Sequence, residues 1–393
     1  MSDVKKHEPL IKKITPQNIL SFGPETTPIE LNNLNILIGP NGSGKSNLIE
    51  IINLLRSTPH DMREVIRKGG GIREWIWKGE KNAIASIEVI IDNPKDQQSL
   101  RHIIKFREEN QVFHLEDERI ENEHPYPDEE HPFFYYNYNN GSPIARLKDD
   151  IIRKQSLIIS NASILSQRKD PDHYPSIHQI SASYDQIRIY REWTLGHNAV
   201  FREPQKADMR NDRLEEDFSN LGMFLNNLRR KPKAKKAIIE GLREFYEGFD
   251  DFDVLVEGGT VQVFFIEGDY SIPSSRLSDG TLRYLCLLAI LCDPDPPSLI
   301  CIEEPELGIH PEVLPKLAEL FIETSKKTQL IITTHSDILV DAMTNHPESI
   351  LICEKHNGRT TMNHLEKKKI EIWLKKFRLG ELWASGEIGG NRW

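Results

Sequence analysis

The stretch Gly39-Pro-Asn-Gly-Ser-Gly44-Lys45-Ser46 constrains this chain more than any other. It matches G-x-x-x-x-G-K-[ST] in full. Its flanks supply the context the pattern needs: Asn35-Ile-Leu-Ile38 is a short apolar run ending at the first glycine, and Leu48, Ile51, Ile52 and Leu55 then recur at helical spacing. In the order strand, glycine turn, helix, successive backbone N–H groups point into one concavity at which the helix aims its positive end. Phosphate is the ligand such a cradle selects. Asn41, Gly42, Ser43 and Gly44 form the cradle, Lys45 reaches the β- and γ-phosphates, the Ser46 hydroxyl joins a Mg2+ shell, and Asn47 follows in the helix.

A second acidic half stands at Leu299-Ile-Cys-Ile302-Glu303-Glu304-Pro305. Four apolar residues predict a buried strand, and the two carboxylates emerge at its C-terminal end, where open α/β sheets bind ligands. Neighbours on a strand point to opposite sides, so the two glutamates have different tasks. Glu303 is expected in the metal shell and Glu304 beside the attacking water; an exposed Glu-Glu turn is the plain alternative. His335 closes the next apolar run, Ile331-Ile-Thr-Thr-His-Ser336, where it can donate to the γ-phosphate or stay a structural histidine.

Around these motifs the chain reads as α/β. ASIEVIID, HIIKF and QVFHL, between Ala85 and Leu115, predict an antiparallel sheet. Eight carboxylates between Glu116 and Glu130 predict a solvated loop leading to an edge strand at Phe133-Phe-Tyr-Tyr136, with an acidic docking surface as the alternative. Residues 181–250 read as a helical insertion or lid, interrupted by Pro204 and Pro232. In DVLVEGGTVQVFF, Gly258-Gly259 turns a hairpin. From Arg276 to His356, helices alternate with continuous apolar strands, which predicts a parallel sheet covered on both faces. The expected division is an N-terminal lobe over 1–180, the insertion over 181–250 and a C-terminal lobe over 251–393.

Net charge excludes one class of surface: 50 Lys and Arg against 60 Asp and Glu leave a formal −10, so a nucleic-acid footprint over the whole surface is not expected. A local patch can still serve. Arg229, Arg230, Lys231, Lys233, Lys235 and Lys236 crowd at a helix break and are the candidate DNA contacts, weighed evenly against a solvated helix end. Lys367 to Lys369 and Lys375-Lys376 are weaker runs, with no interleaved aromatics of the kind a single-strand stacking platform requires. The longest nearly apolar stretch, Leu282 to Cys292, holds Arg283 and is far short of the ~20 residues of a membrane helix. The basic N-terminus lacks an apolar signal core. Cys286, Cys292, Cys301 and Cys353 form no CxxC pair, which fits reduced thiols and a cytoplasmic protein.

On these motifs the sequence resembles the ABC-type ATPases of the SMC, RecF and overcoming-lysogeny-defect branch. Leu277-Ser-Asp-Gly-Thr281 stands where that family has its signature loop, departing from LSGGQ at Asp279 and Thr281. Gln167, in Ser163-Ile-Leu-Ser-Gln-Arg168, looks like the Q-loop glutamine that touches Mg2+ and the attacking water. Glu303 stands where the family has Asp. Glu303-Glu-Pro-Glu306 with His310-Pro311, and the tail from Leu379 to Trp393, resemble stand-alone RecF-like, defence-associated bacterial ATPases. The resemblance implies a P-loop ATPase head with a mostly parallel sheet, an antiparallel β subdomain and a helical insertion, using ATP and Mg2+. It further implies a homodimer or higher even oligomer, with Ser278 and Gly280 of one subunit completing the other's ATP site. Hydrolysis then works a switch or clamp that acts on DNA or controls a separate nuclease-like effector in genome maintenance or anti-phage defence. No nuclease centre of its own is expected. The alternatives are a transporter motor, disfavoured by the 232 residues between Ser46 and Ser278, and an assembly scaffold with negligible turnover.

Overall fold

Alternation of side chains along six strands organises the molecule. The strands are β1 (Leu34–Ile38), β2 (Arg188–Tyr190), β3 (Leu299–Glu303), β4 (Gln329–Thr333), β5 (Ile350–His356) and β6 (Arg359–His364). Their spatial order is β2-β3-β4-β1-β5-β6, parallel except for β6, which returns antiparallel on β5. Leu37, Ile189, Cys301, Ile331 and Leu351 enter one core, shared with helix α1 (Lys45–Ser57). Ile36, Ile38, Ile300, Ile302 and Ile332 enter a second, shared with helices α2 (Pro232–Phe245) and α3 (Asp279–Leu291). With both faces covered, the strand interiors have no polar side to offer, which is why they read as unbroken apolar runs. The computed structural model describes residues 7–93, 98–139, 142–146, 152–154, 161–194, 196 and 199–390. Asn391, Arg392 and Trp393 of the tail lie outside them.

An eight-stranded antiparallel sheet packs over the α1 side, its strands running from Ile11–Gln17 to Ile152–Lys154. It contains the predicted strands but corrects the acidic segment. Glu116 to Asn122 is not loop: it completes the strand Val112–Asn122, paired on one side with Leu100–Glu109 and on the other with Phe134–Asn139. Phe134–Asn139 in turn pairs with Ser142–Arg146, so it is not an edge. Asp117 and Glu118 are buried. Partners explain this. Glu118 accepts hydrogen bonds from the Ser163 hydroxyl at 2.5 Å and the Ile164 N–H at 2.8 Å, and Asp117 pairs with Arg119 at 2.9 Å. Charge density read as solvation is here the means of pinning a strand.

The stretch 181–250 differs likewise from a helical lid. It contains β2, beside β3 in the central sheet, and among the described residues its helices are the end of Pro175–Asp185, Leu221–Leu228 and α2. Phe218, Leu221, Phe224, Leu225, Ile238 and Leu242 are buried with Leu282, Leu285 and Leu288 of α3 in one core. The hairpin forms as predicted, Asp251–Glu257 against Thr260–Glu267. Among the described residues no helix is long and apolar enough to cross a membrane. All four cysteines are free, with Cys286, Cys301 and Cys353 buried.

Candidate nucleotide site

The glycine loop leaves β1 and enters α1, and its shape depends on absent side chains. Gly39 sits at φ +152°, where a Cβ would lie 2.2 Å from the Cys353 carbonyl oxygen of β5. Gly44, at φ +106°, would press a Cβ to 2.3 Å from the Thr360 hydroxyl of β6. Gly44 is also the residue preceding α1 and makes no side-chain cap, so the first N–H groups of the helix remain available to an anion. Lys45 is buried, and its ammonium donates to the carbonyls of Gly39 at 2.7 Å and Pro40 at 3.2 Å. Burial pulls its pKa below the usual lysine value, against the pull of Cys353 and of Glu304, Glu306 and Glu303. A buried ammonium held by carbonyls gains when phosphate replaces them.

Parallel register brings the acidic half to the same edge. Glu303 ends β3 opposite Thr333 of β4, and β4 lies beside β1. Ser46 donates its hydroxyl to Glu303 Oε2 at 2.9 Å. The other oxygen, Oε1, is buried without a hydrogen-bond partner. Burial raises the Glu303 pKa, opposed by the Ser46 bond and by Arg191. One serine hydroxyl and one carboxylate with an orphaned oxygen form the oxygen donor set that Mg2+ takes alongside phosphates and water. Among the described residues no group of three or more His, Cys, Asp and Glu offers a metal cage. The Ser46 hydroxyl and the Glu303 carboxylate suit Mg2+ as a partner of nucleotide.

Glu304 leaves the strand at φ +46°, a left-handed backbone uncommon outside glycine. Its side chain is 40% exposed, and Oε1 lies 3.9 Å from His335 Nε2. The strained peptide is held on every side. The Glu304 N–H donates to the Thr333 carbonyl at 3.0 Å, Trp193 Nε1 donates to the Glu303 carbonyl at 2.9 Å, and Arg283 Nη2 donates to the Glu304 carbonyl at 2.6 Å. His335 sits two residues past β4. Its N–H and the Thr334 hydroxyl both donate to Glu306 Oε1, at 2.7 and 2.8 Å. Thus Ser46, Glu303, Glu304 and His335 converge.

Several members of the site escaped the sequence reading. Arg283, on α3, is buried with its guanidinium 4.2 Å over the Trp193 ring, and burial lowers its pKa to about 10. Arg191 follows β2, pairs with Glu50 of α1 and stands 4.0 Å from Glu303 Oε1. The strand that delivers it was hidden inside a segment read as helical. Ser21 and Thr360 support the loop: Asn47 Nδ2 donates to the Ser21 hydroxyl at 2.6 Å, that hydroxyl is 2.7 Å from Thr360 Oγ1, and Thr360 bonds the Ser43 carbonyl at 2.8 Å. A lone serine and threonine hundreds of residues apart carry no local signal. We expect Thr360→Val to cost about 1 to 2 kcal/mol and to weaken nucleotide binding several-fold, measured by urea unfolding and nucleotide titration.

Three groups of expected residues lie elsewhere. Ser278 caps α3, accepting from the Thr281 N–H at 3.1 Å, and the Gly280 Cα abuts the Gly308 carbonyl, where a Cβ would meet the oxygen at 2.6 Å. Asp279, the departure from the family pattern, pairs with Arg202 and accepts from the Gly196 N–H at 3.0 Å. Gln167 donates to the Ala162 carbonyl at 2.9 Å, within its own turn, and no described hydrogen bond joins it to Ser46 or Glu303. The residue that stands beside Glu303 is Arg191, 4.0 Å from Oε1. Of the basic cluster, Arg229 pairs with Asp253, Lys231 with Asp295 at 3.0 Å, Lys235 with Asp251 at 2.7 Å and Lys236 with Glu240 at 3.6 Å. Arg230 and Lys233 have no ion pair among the described residues. Most of that charge is neutralised locally.

Fold and site together are those of a P-loop nucleotide-binding domain with the architecture of SMC heads. Solved SMC heads share the architecture: an SMC head bound to the C-terminal winged-helix domain of ScpA aligns over 93% of this chain and 100% of its own, at 16% identity and TM-score 0.60. The Pyrococcus furiosus SMC head with an extended coiled coil, bound to the C-terminal domain of ScpA, aligns over 94% and 99%, at 15% identity and TM-score 0.59. The Pyrococcus yayanosii head with coiled coil and joint aligns over 94% and 99%, at 11% identity and TM-score 0.54. Residues 34–341 match the family model described as "AAA domain, putative AbiEii toxin, Type IV TA system", and the chain belongs to that family. No curated protein matches the sequence.

Proposed function

We propose that the chain binds and hydrolyses ATP with Mg2+ and works as a dimeric switch or clamp, acting on DNA or controlling a separate effector in genome maintenance or anti-phage defence. The observation that carries this reading is the convergence of Lys45, Ser46, Glu303 and Glu304 at one sheet edge, with a carboxylate oxygen buried and free of hydrogen bonds beside the serine hydroxyl. The N–H groups of the loop and α1 bind the β- and γ-phosphates, and Lys45 exchanges its carbonyl contacts for phosphate oxygens. Ser46 and Glu303 would hold Mg2+, which supplies charge neutralisation on the phosphates when bound. Glu304 accepts a proton from the water whose oxygen attacks the γ-phosphorus, while the bond to the β-phosphate oxygen breaks and ADP leaves. His335, near Glu304, donates to the γ-phosphate. Support for a role beyond binding is the strained backbone at Glu304, which contacts from Thr333, Trp193 and Arg283 hold in place.

A mixing experiment tests the dimeric arrangement. Lys45→Ala and Ser278→Arg should each abolish turnover as pure proteins, one through its own phosphate loop and the other through its partner's site. Mixed in equal amounts, they form hybrids with one intact composite site, and turnover returns. Failure of the mixture to regain activity, while wild type turns over, would remove completion in trans.

A further inference from the structure

The helix Lys367–Leu374, which precedes the last helix Leu379–Ala384 among the described residues, and the turn after it expose the weaker basic runs together with apolar side chains. Ile372 is 77% exposed, Trp373 46% and Phe377 43%. The Trp373 and Phe377 rings lie side by side, centroids 6.2 Å apart. Trp373 stands between Lys367-Lys368 and Lys375-Lys376, and Phe377 directly follows the second pair, so aromatics do interleave these cations. All four lysines are exposed, and none has an ion pair among the described residues, unlike the neutralised cluster at 229–236. Trp373 also lines a cleft of about 520 Å3 whose wall includes Ile388. Two residues further on, a Cβ on Gly390 would lie 3.7 Å from the Gly39 Cα, so the tail edging this cleft rests on the phosphate loop.

We propose that this face binds single-stranded nucleic acid, the lysines meeting phosphates and Trp373 with Phe377 stacking on bases. Unpaired cations call for a polyanion, and open aromatic faces call for one whose bases are not already stacked in a duplex. The eight-residue helix carries Glu371 on its exposed surface and shows too narrow an apolar side to lie in a bilayer. The inference deepens the DNA arm of the proposed function and rests on that arm, not on turnover.

The test is fluorescence anisotropy of a labelled oligothymidylate with the full chain, across a salt series, with ATP turnover read in parallel. Trp373→Ala should weaken binding roughly tenfold or more, and Trp373→Phe, which keeps a ring, should restore most of it. Lys375→Glu with Lys376→Glu should weaken binding by more than tenfold and flatten the salt dependence, each lost phosphate contact removing about 0.7 from the slope. Turnover without nucleic acid stays at the wild-type value, because none of these residues touches the site. The proposal is overturned by unchanged binding in these variants, by binding lost only in Arg230→Glu with Lys233→Glu, or by capture of duplex or anionic vesicles in preference to the oligonucleotide. Loss of turnover in wild type would strike the ATPase reading instead and leave the binding result standing.

Discussion

Glu304→Gln lowers ATP turnover by about 10^2- to 10^4-fold, the range a positioned general base contributes, and leaves ATP binding intact. The substitution keeps the length and shape of the side chain, and with 40% exposure at Glu304 no buried cavity is made. The backbone contacts that hold the left-handed peptide come from Thr333, Trp193 and Arg283 and do not involve the carboxylate. Lys45, Ser46 and the loop N–H groups still grip the phosphates, so equilibrium titration should give an affinity within a few-fold of wild type. The variant should accumulate as an ATP-bound dimer, visible by light scattering, because opening follows hydrolysis. Turnover within a few-fold of wild type would deny Glu304 its role. Abolished turnover with intact cellular function would favour the assembly scaffold over a cycling switch.

Local patterns in the sequence carried the site well where the chemistry itself is local. The glycine loop, the carboxylate pair and the helix start at Ser278 each need residue types at fixed short spacing, and each stands where that spacing puts it. What stayed hidden depends on contacts distant in sequence. Asp117 and Glu118 looked solvated because carboxylates usually are; His102 on the neighbouring strand and Ser163 and Ile164, some 45 residues away, bond Glu118, which is buried and satisfied. β2 has three residues and no periodicity to declare it, so Arg191 arrived beside Glu303 unannounced. The partners of the basic run at 229–236 were hidden for the same reason, since the pairing of Lys235 with Asp251 and Lys231 with Asp295 belongs to the tertiary fold. Trp373 and Phe377 were readable as apolar residues, but exposure is a property of the packed molecule.

Glu303→Gln should separate stability from function with opposite signs. Burial is the largest cause of its raised pKa, so the folded protein holds the Glu303 proton more tightly than the unfolded chain does. Stability therefore falls as pH rises through the unfolded and then the folded pKa, and the cost of the buried charge is fully present above the folded value. Removing the charge makes the nucleotide-free protein more stable at neutral pH, with a gain that shrinks on acidification and is gone below the ordinary carboxylate range. Ser46 can still donate to the amide oxygen, so packing is kept. The amide cannot serve as an anionic oxygen donor, and Mg2+-dependent ATP affinity should fall by at least tenfold, the lower bound for disturbing even the outer partners of a metal. Thermal unfolding with and without Mg2+ and ATP reads both effects in one experiment: the ligand-free midpoint rises and the ligand-induced increment collapses. A lowered ligand-free midpoint would mean that the Glu303 carboxylate is a structural anchor, and a preserved increment would place the metal elsewhere.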